Sequence, residues 1–141
     1  MVQAAPPAAR VCRLVARLRS TGRLGFISLL TWQTGKNYRR LREQLLAKRG
    51  IVTVVNLPFD VFPQAYVDTG IYILSPRPTN RYQLFRFPKR TRATDLRGLS
   101  YQEVPRNLIR APDYKLILKP TAHAIYQRAA QSPNFVPLWV L

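Results

Sequence analysis

Asn56-Leu57-Pro58-Phe59-Asp60-Val61-Phe62-Pro63-Gln64-Ala65-Tyr66-Val67-Asp68-Thr69-Gly70-Ile71-Tyr72-Ile73-Leu74 closes one apolar run and opens another. The first run, Ile51 to Val55, is apolar or β-branched at every position, as a strand covered on both faces requires. The second, Val67 to Leu74, follows too closely for a helical crossover, so it must return antiparallel. Between them stands the corner Phe62-Pro63, with Phe59 and Tyr66 clustered around Pro58 and Pro63. A ring held at such a sheet rim can stack on a flat ligand, including a base that has left a duplex. The competing reading is that all three rings pack against the rim.

Working outward, Arg23 to Leu30 is a short, mostly apolar run and reads as a buried strand. A helix is predicted from about Lys36 to Arg49, with Thr34 as N-cap, Gly50 as C-cap, and Tyr38, Leu41, Leu45 and Leu46 on its apolar face. Strand, helix and strand over residues 23–56 form a βαβ unit, which implies parallel strands and a right-handed crossover. Earlier in the chain, Val11, Leu14, Val15 and Leu18 share one helical face, Arg10, Arg13 and Arg17 another, and Gly22 reads as the C-cap. Residues 1–9 are rich in Ala and Pro and are expected to be disordered.

Downstream, Ser75 to Asn80 is a turn-rich break, and Tyr82 to Phe87 reads as a further strand attached as a hairpin. A basic, weakly patterned stretch follows Pro88 to about Pro112. Leu116 to Leu118 reads as a short strand, and Pro120 suits the first turn of a helix covering about Thr121 to Gln131. The fold class is α/β, with a mixed sheet.

Charge narrows the partner. The 141 residues carry 23 basic and 6 acidic side chains, a formal net charge of +17. Eighteen of the basic residues are Arg, the side chain suited to bidentate phosphate contact. A field of this sign points to a polyanion, most simply nucleic acid. Some of the bias can also reflect a genome rich in Arg codons. Cys12 is the only cysteine and reads as a small buried apolar residue, which suits a cytosolic chain. No apolar run approaches the ~18 residues of a membrane span. The Ala- and Arg-rich start is similar to a mitochondrial transit peptide, but it leads into a strand without a spacer, as an ordinary basic helix does.

Several chemistries lack their residues. There is no GxGxxG, no Walker A motif and no CxxC. His123 is the only histidine and has no metal-ligand spacing around it, and the carboxylates are scattered singly. The chain by itself carries no recognisable catalytic constellation.

Gly22-Arg23-Leu24-Gly25-Phe26-Ile27, Thr31-Trp32, and Gly35-Lys36-Asn37-Tyr38-Arg39-Arg40-Leu41-Arg42-Glu43 resemble the fifth strand and following helix of TaqI-like adenine-specific DNA methyltransferases of restriction-modification systems. The resemblance continues through Ile51–Leu57, the corner Val61-Phe62-Pro63-Gln64, and Val67–Leu74. It covers about residues 10–90, the C-terminal portion of the catalytic domain, while residues 91–141 match more loosely as a basic linker and the start of a target-recognition region.

The resemblance implies a partial Rossmann-like sheet, strands five to seven, with an antiparallel strand seven between strands five and six. It implies S-adenosylmethionine as cofactor of the complete enzyme, bound near the first strands and not by this segment. It implies an Asn-Pro-Pro-Tyr/Phe motif after strand four that holds a flipped adenine, and Phe62 with Pro63 on the other side of that base. Double-stranded DNA is the implied partner, with Lys89, Arg90 and Arg92 as weak phosphate contacts, in a bacterial cytoplasm. The cofactor loop and the Asn-Pro-Pro motif do not occur in the sequence. The chain is therefore expected to be inactive alone: half of a split enzyme completed by a chain carrying the N-terminal half, or a truncated product. Leu29 stands where the family often has Pro. The alternative function is a small basic nucleic-acid-binding protein without catalysis.

Overall fold

Five strands and three helices make up the computed structural model, described over residues 7–58, 61–62, 67–88 and 97–131. In chain order they are α1 (Pro7–Ala16), β1 (Leu24–Leu29), α2 (Arg39–Arg42), β2 (Gly50–Asn56), β3 (Thr69–Ser75), β4 (Arg81–Arg86), β5 (Gln102–Pro105) and α3 (Pro120–Ala130). They form one mixed sheet in the order β1-β3-β2-β4-β5.

The return of β3 is antiparallel, as its short connection requires, and β3 pairs on both sides, with β1 and with β2. β1 and β2 therefore run in the same direction, but they are not neighbours. The expected βαβ pair is split by the strand that follows it. β4 is parallel to β2 and does not touch β3, so the expected hairpin is replaced by a connection that passes over the start of β2.

Gly50 lies where that connection crosses. A Cβ there would collide with the carbonyl of Arg77 and lie 2.9 Å from Thr79 Cγ2. The Thr79 hydroxyl donates to the Ile51 carbonyl at 2.7 Å and locks the crossing. Gly50 thus serves the crossing, three residues beyond the end of the helical stretch, and is not a C-cap. Gly50→Ala is expected to cost about 2–3 kcal/mol by overpacking. A lower urea midpoint at unchanged slope would show it.

One face of the sheet carries the core. Phe26, Tyr72, Val54 and Leu84 face the same side in register, and an irregularity between Ile51 and Thr53 lets both Ile51 and Val54 point inward. Val15 of α1, Trp32, Leu45 and Leu46 cover this face, joined by Ile109 and Leu116. Leu14, expected on the buried face of α1, is instead exposed. Cys12 takes a place beside the core, half-buried, and burial pushes its thiol pKa up.

The helical stretch after β1 is broken. A 3-10 turn, Leu30–Gln33, is followed by a second, Lys36–Tyr38, then α2 and a π turn, Glu43–Ala47. Thr34 makes no cap; Gly35 opens the second turn without a side-chain hydrogen bond. α1 begins at Pro7, inside the stretch expected to be disordered, and ends at Ala16, so Gly22 belongs to a later turn.

The basic stretch also returns to the sheet. β5 pairs with β4, and its Val104 is fully buried. This strand has one inward residue in four, too little alternation to be read from sequence. Leu116–Leu118 joins no strand among the described residues; Tyr82 holds it by accepting from the Ile117 N–H and donating to its carbonyl. α3 spans Pro120–Ala130 with Pro in its first turn, as expected. No helix among the described residues is long and apolar enough to cross a membrane.

Candidate functional site

The carboxyl ends of β1, β2 and β4 lie at one edge of the sheet, the edge at which open α/β sheets bind ligands. A cleft of about 430 Å³ opens there. Leu30 and Leu118 give it apolar surface, Gln33 and Asn56 polar surface, and Asp68 and Arg86 one charge of each sign. Each comes from the end of an element: the 3-10 turn after β1, the last residue of β2, the approach to β3 and the last residue of β4.

Beneath the cleft lies a buried polar cluster. Gln33 Nε2 donates to Asn56 Oδ1 at 2.7 Å and to the Tyr72 hydroxyl at 2.8 Å. Asn56 Nδ2 donates back to Gln33 Oε1 at 3.3 Å. Gly70 makes room for the cluster: a Cβ there would lie 2.9 Å from the Tyr72 oxygen and 3.0 Å from the Val55 carbonyl. The Trp32 ring meets Tyr72 edge-on at 4.9 Å, and its buried indole N–H makes no hydrogen bond of good geometry.

Burial pushes the Tyr72 hydroxyl up to about 12 from 10.0, against smaller opposing effects from Gln33, Trp32 and Ser28. The Tyr82 hydroxyl is raised by burial too, opposed by its bond to Ile117. A phenol whose folded pKa lies above its unfolded value stabilises the fold fully below the unfolded pKa. That stabilisation is lost as pH rises through the folded one. Stability is therefore expected to fall between pH 10 and about 12. Tyr72→Phe should flatten the fall while costing about 1–2 kcal/mol at neutral pH, because Gln33 loses an acceptor. Denaturant titrations at stepped pH would measure both.

Arg42 holds the turn that carries Gln33. Its side chain is 0% exposed. Nε donates to the Asp113 carbonyl at 2.8 Å, and one terminal nitrogen donates to the carbonyls of Trp32 and Gly35 at 2.9 and 2.6 Å. Burial lowers the guanidinium pKa, and Asp113 opposes this from its exposed position. The other terminal nitrogen has no hydrogen-bond partner among the described residues.

Phe62 stands in the connection from β2 to β3, the same connection whose end supplies Asp68 to the cleft. Phe62 is 41% exposed. Phe62 is not part of the cleft lining. Pro63, Phe59, Tyr66, Lys89, Arg90 and Arg92 lie outside the described residues. Sequence reading passed over Gln33, Asn56, Asp68, Arg86 and Arg42. Two carried a signal: Asn56 ends an otherwise apolar strand, and Arg42 stands three and four residues before Leu45 and Leu46, on the apolar face of its helix.

No glycine lines the cleft among the described residues. The residues after β1 form a 3-10 turn rather than a glycine-rich loop opening a helix. The cleft is a partly apolar slot in which the Gln33 and Asn56 amides stand with the Asp68 carboxylate and the Arg86 guanidinium.

Over 78 residues, 53% of its length, the sequence is 41% identical to a Methanocaldococcus jannaschii protein assigned by inference as a type II restriction enzyme and methyltransferase. The chain is similar to a restriction-modification methyltransferase. It spans 7% of that relative's length. No family model matches it. Among solved structures, a chain from work on complex assembly and conformational transition of the type I R-M system superposes on 79% of this chain and 20% of its own length, with a TM-score of 0.44 and 20% identity.

Proposed function

We propose that the chain is part of a site-specific DNA adenine N6-methyltransferase of a restriction-modification system. It supplies strands five to seven of the methyltransferase sheet and one wall of the site for a flipped adenine. In this reading β1, β3 and β2 stand as strands five, seven and six. The observation that carries it is β3 lying antiparallel between two strands of common direction, with the exposed Phe62 on the connection between β2 and β3. The identity with a restriction enzyme and methyltransferase supports the same assignment.

The donor and the remaining contacts to the adenine come from strands that carry the cofactor loop and the Asn-Pro-Pro-Tyr/Phe motif, on a separate chain or on further sequence of the same one. The place for them is the free edge of β1. Among the described residues it ends the sheet, contains neither Lys nor Pro, and exposes Ile27 by 54% and Leu29 by 44%. An unguarded apolar edge of this kind pairs readily with a further strand.

The test is to mix this chain with a polypeptide carrying the missing motifs and measure methyl transfer from S-adenosylmethionine to duplex DNA. Transfer is expected only from the mixture, and Ile27→Lys should abolish it while leaving the isolated chain at least as soluble. Preferential binding of RNA with a steep salt slope, and no transfer by any mixture, would favour the non-catalytic alternative that the net charge of +17 suggests.

A further inference from the structure

The starts of β1 and β2 and the end of β3 share the edge of the sheet opposite the cleft. Leu24 pairs with Leu74 and Gly50 with Ser75, so Arg23 and Arg49 stand just beyond the register on either side of β3. Arg49 donates to the Pro76 carbonyl at 3.5 Å. Arg77, the next residue, places its own carbonyl against Gly50. Arg19 joins them through a turn in which its carbonyl accepts from the Gly22 N–H at 2.7 Å. Arg19, Arg23, Lys48 and Arg77 are exposed, and Arg49 is half-buried. Basic residues from three segments therefore meet at one edge. The described carboxylates stand elsewhere. Asp68 lines the cleft. Glu103 is bridged to Arg81 at 2.6 Å, and Asp113 to Lys115 at 3.5 Å. Glu43 stands at the start of the π turn that Lys48 follows.

Exposed charge of one sign favours an anionic partner. The residues among these cations decide its kind. Thr21, Gly22, Ser75, Pro76, Pro78 and Thr79 include no aromatic ring on which an unpaired base could stack. Contact with phosphate remains, and a duplex offers phosphates at regular spacing. Strands lie about 4.8 Å apart, so Arg23 and Arg49 are separated by about 10 Å across β3. A duplex carries one phosphate per ~3.4 Å of axis on each strand, about three in that length. We infer that this edge holds the phosphate backbone of duplex DNA outside the target segment, without reading its sequence. β1, β2 and β3 are six or seven residues long, about 20 Å from edge to edge. The contact thus lies on the far side of the sheet from the proposed base site and does not depend on it.

The experiment measures binding of the full chain to a fluorescent duplex of G·C pairs alone, which offers no adenine, over a fourfold range of salt. Arg23→Ala, Lys48→Ala and Arg77→Ala combined should lower the slope of log affinity against log salt by about 2.7, since each phosphate contact contributes ~0.9. Over that range the unsubstituted chain should lose about 40-fold more affinity than the variant. The same charge removed elsewhere, by Lys36→Ala, Arg39→Ala and Arg40→Ala, all exposed, should lower the slope by less than about 1. Arg23→Lys with Arg77→Lys should keep the slope, which separates lost charge from a damaged fold. Phe62→Ala should leave it unchanged, so failure of the base site and failure of this surface give different results. Equal effects of the two triple substitutions would show a diffuse field and overturn the inference. An unchanged slope, or affinity confined to duplexes that contain adenine, would overturn it as well. Tighter binding of an RNA duplex or of single strands would overturn the choice of partner.

Discussion

Replacing Phe62 by alanine in the methyltransferase assembly proposed for this chain is expected to lower kcat/KM for methyl transfer by about 5- to 150-fold. Affinity for duplex DNA should change by less than about threefold. Stacking of a base on an aromatic ring contributes ~1–3 kcal/mol, and each 1.4 kcal/mol is a factor of ten. That contact exists only after the base has left the helix, so it acts on the reactive complex. Duplex affinity comes mainly from phosphate contacts, which Phe62 does not supply. The substitution should cost the fold less than truncating a core aromatic would, since Phe62 is 41% exposed. Parallel measurements of transfer and of DNA binding separate the outcomes. Equal loss of both would contradict a stacking role.

Arg42→Ala is expected to remove about 3–5 kcal/mol of folding stability, enough to leave much of a chain this size unfolded. Of the three carbonyls that Arg42 joins, Trp32 lies in the turn that carries Gln33, Gly35 lies just after it, and Asp113 lies in a distant segment. Truncation leaves these acceptors without their donor and opens a cavity beside Leu45 and Leu46. Lys at this position keeps the charge but reaches with one ammonium where Arg uses two nitrogens in a fixed fork, so Arg42→Lys should recover only part of the loss. Circular dichroism with a urea titration would measure both variants, and a change below about 1 kcal/mol in Arg42→Ala would refute the role.

Local pattern told where strands lie better than which strands meet. The apolar runs became β1, β2 and β3, and the short link after β2 correctly required an antiparallel return. Neighbourhood did not follow, because β3 could return beside either strand and pairs with both. The hairpin expectation failed on Gly50, whose missing side chain lets the chain cross β2 and deliver β4 to its far side. β5 went unread because an edge strand with one buried residue has almost no periodicity. Phe62, outside the cleft, is exposed in the connection between two strands, as its corner position suggested. The amide pair was not legible, since Gln33 and Asn56 are 23 residues apart and meet only because the turn after β1 folds over the end of β2.

The base that receives the methyl group is the most direct test of the account. The chain would be combined with a polypeptide supplying the cofactor loop and the Asn-Pro-Pro-Tyr/Phe motif, incubated with S-adenosylmethionine and duplex DNA, and the DNA digested to nucleosides for mass spectrometry. N6-methyladenine is expected, dependent on both polypeptides and strongly reduced by Phe62→Ala. Methylated cytosine, or a yield of N6-methyladenine indifferent to this chain, would contradict it.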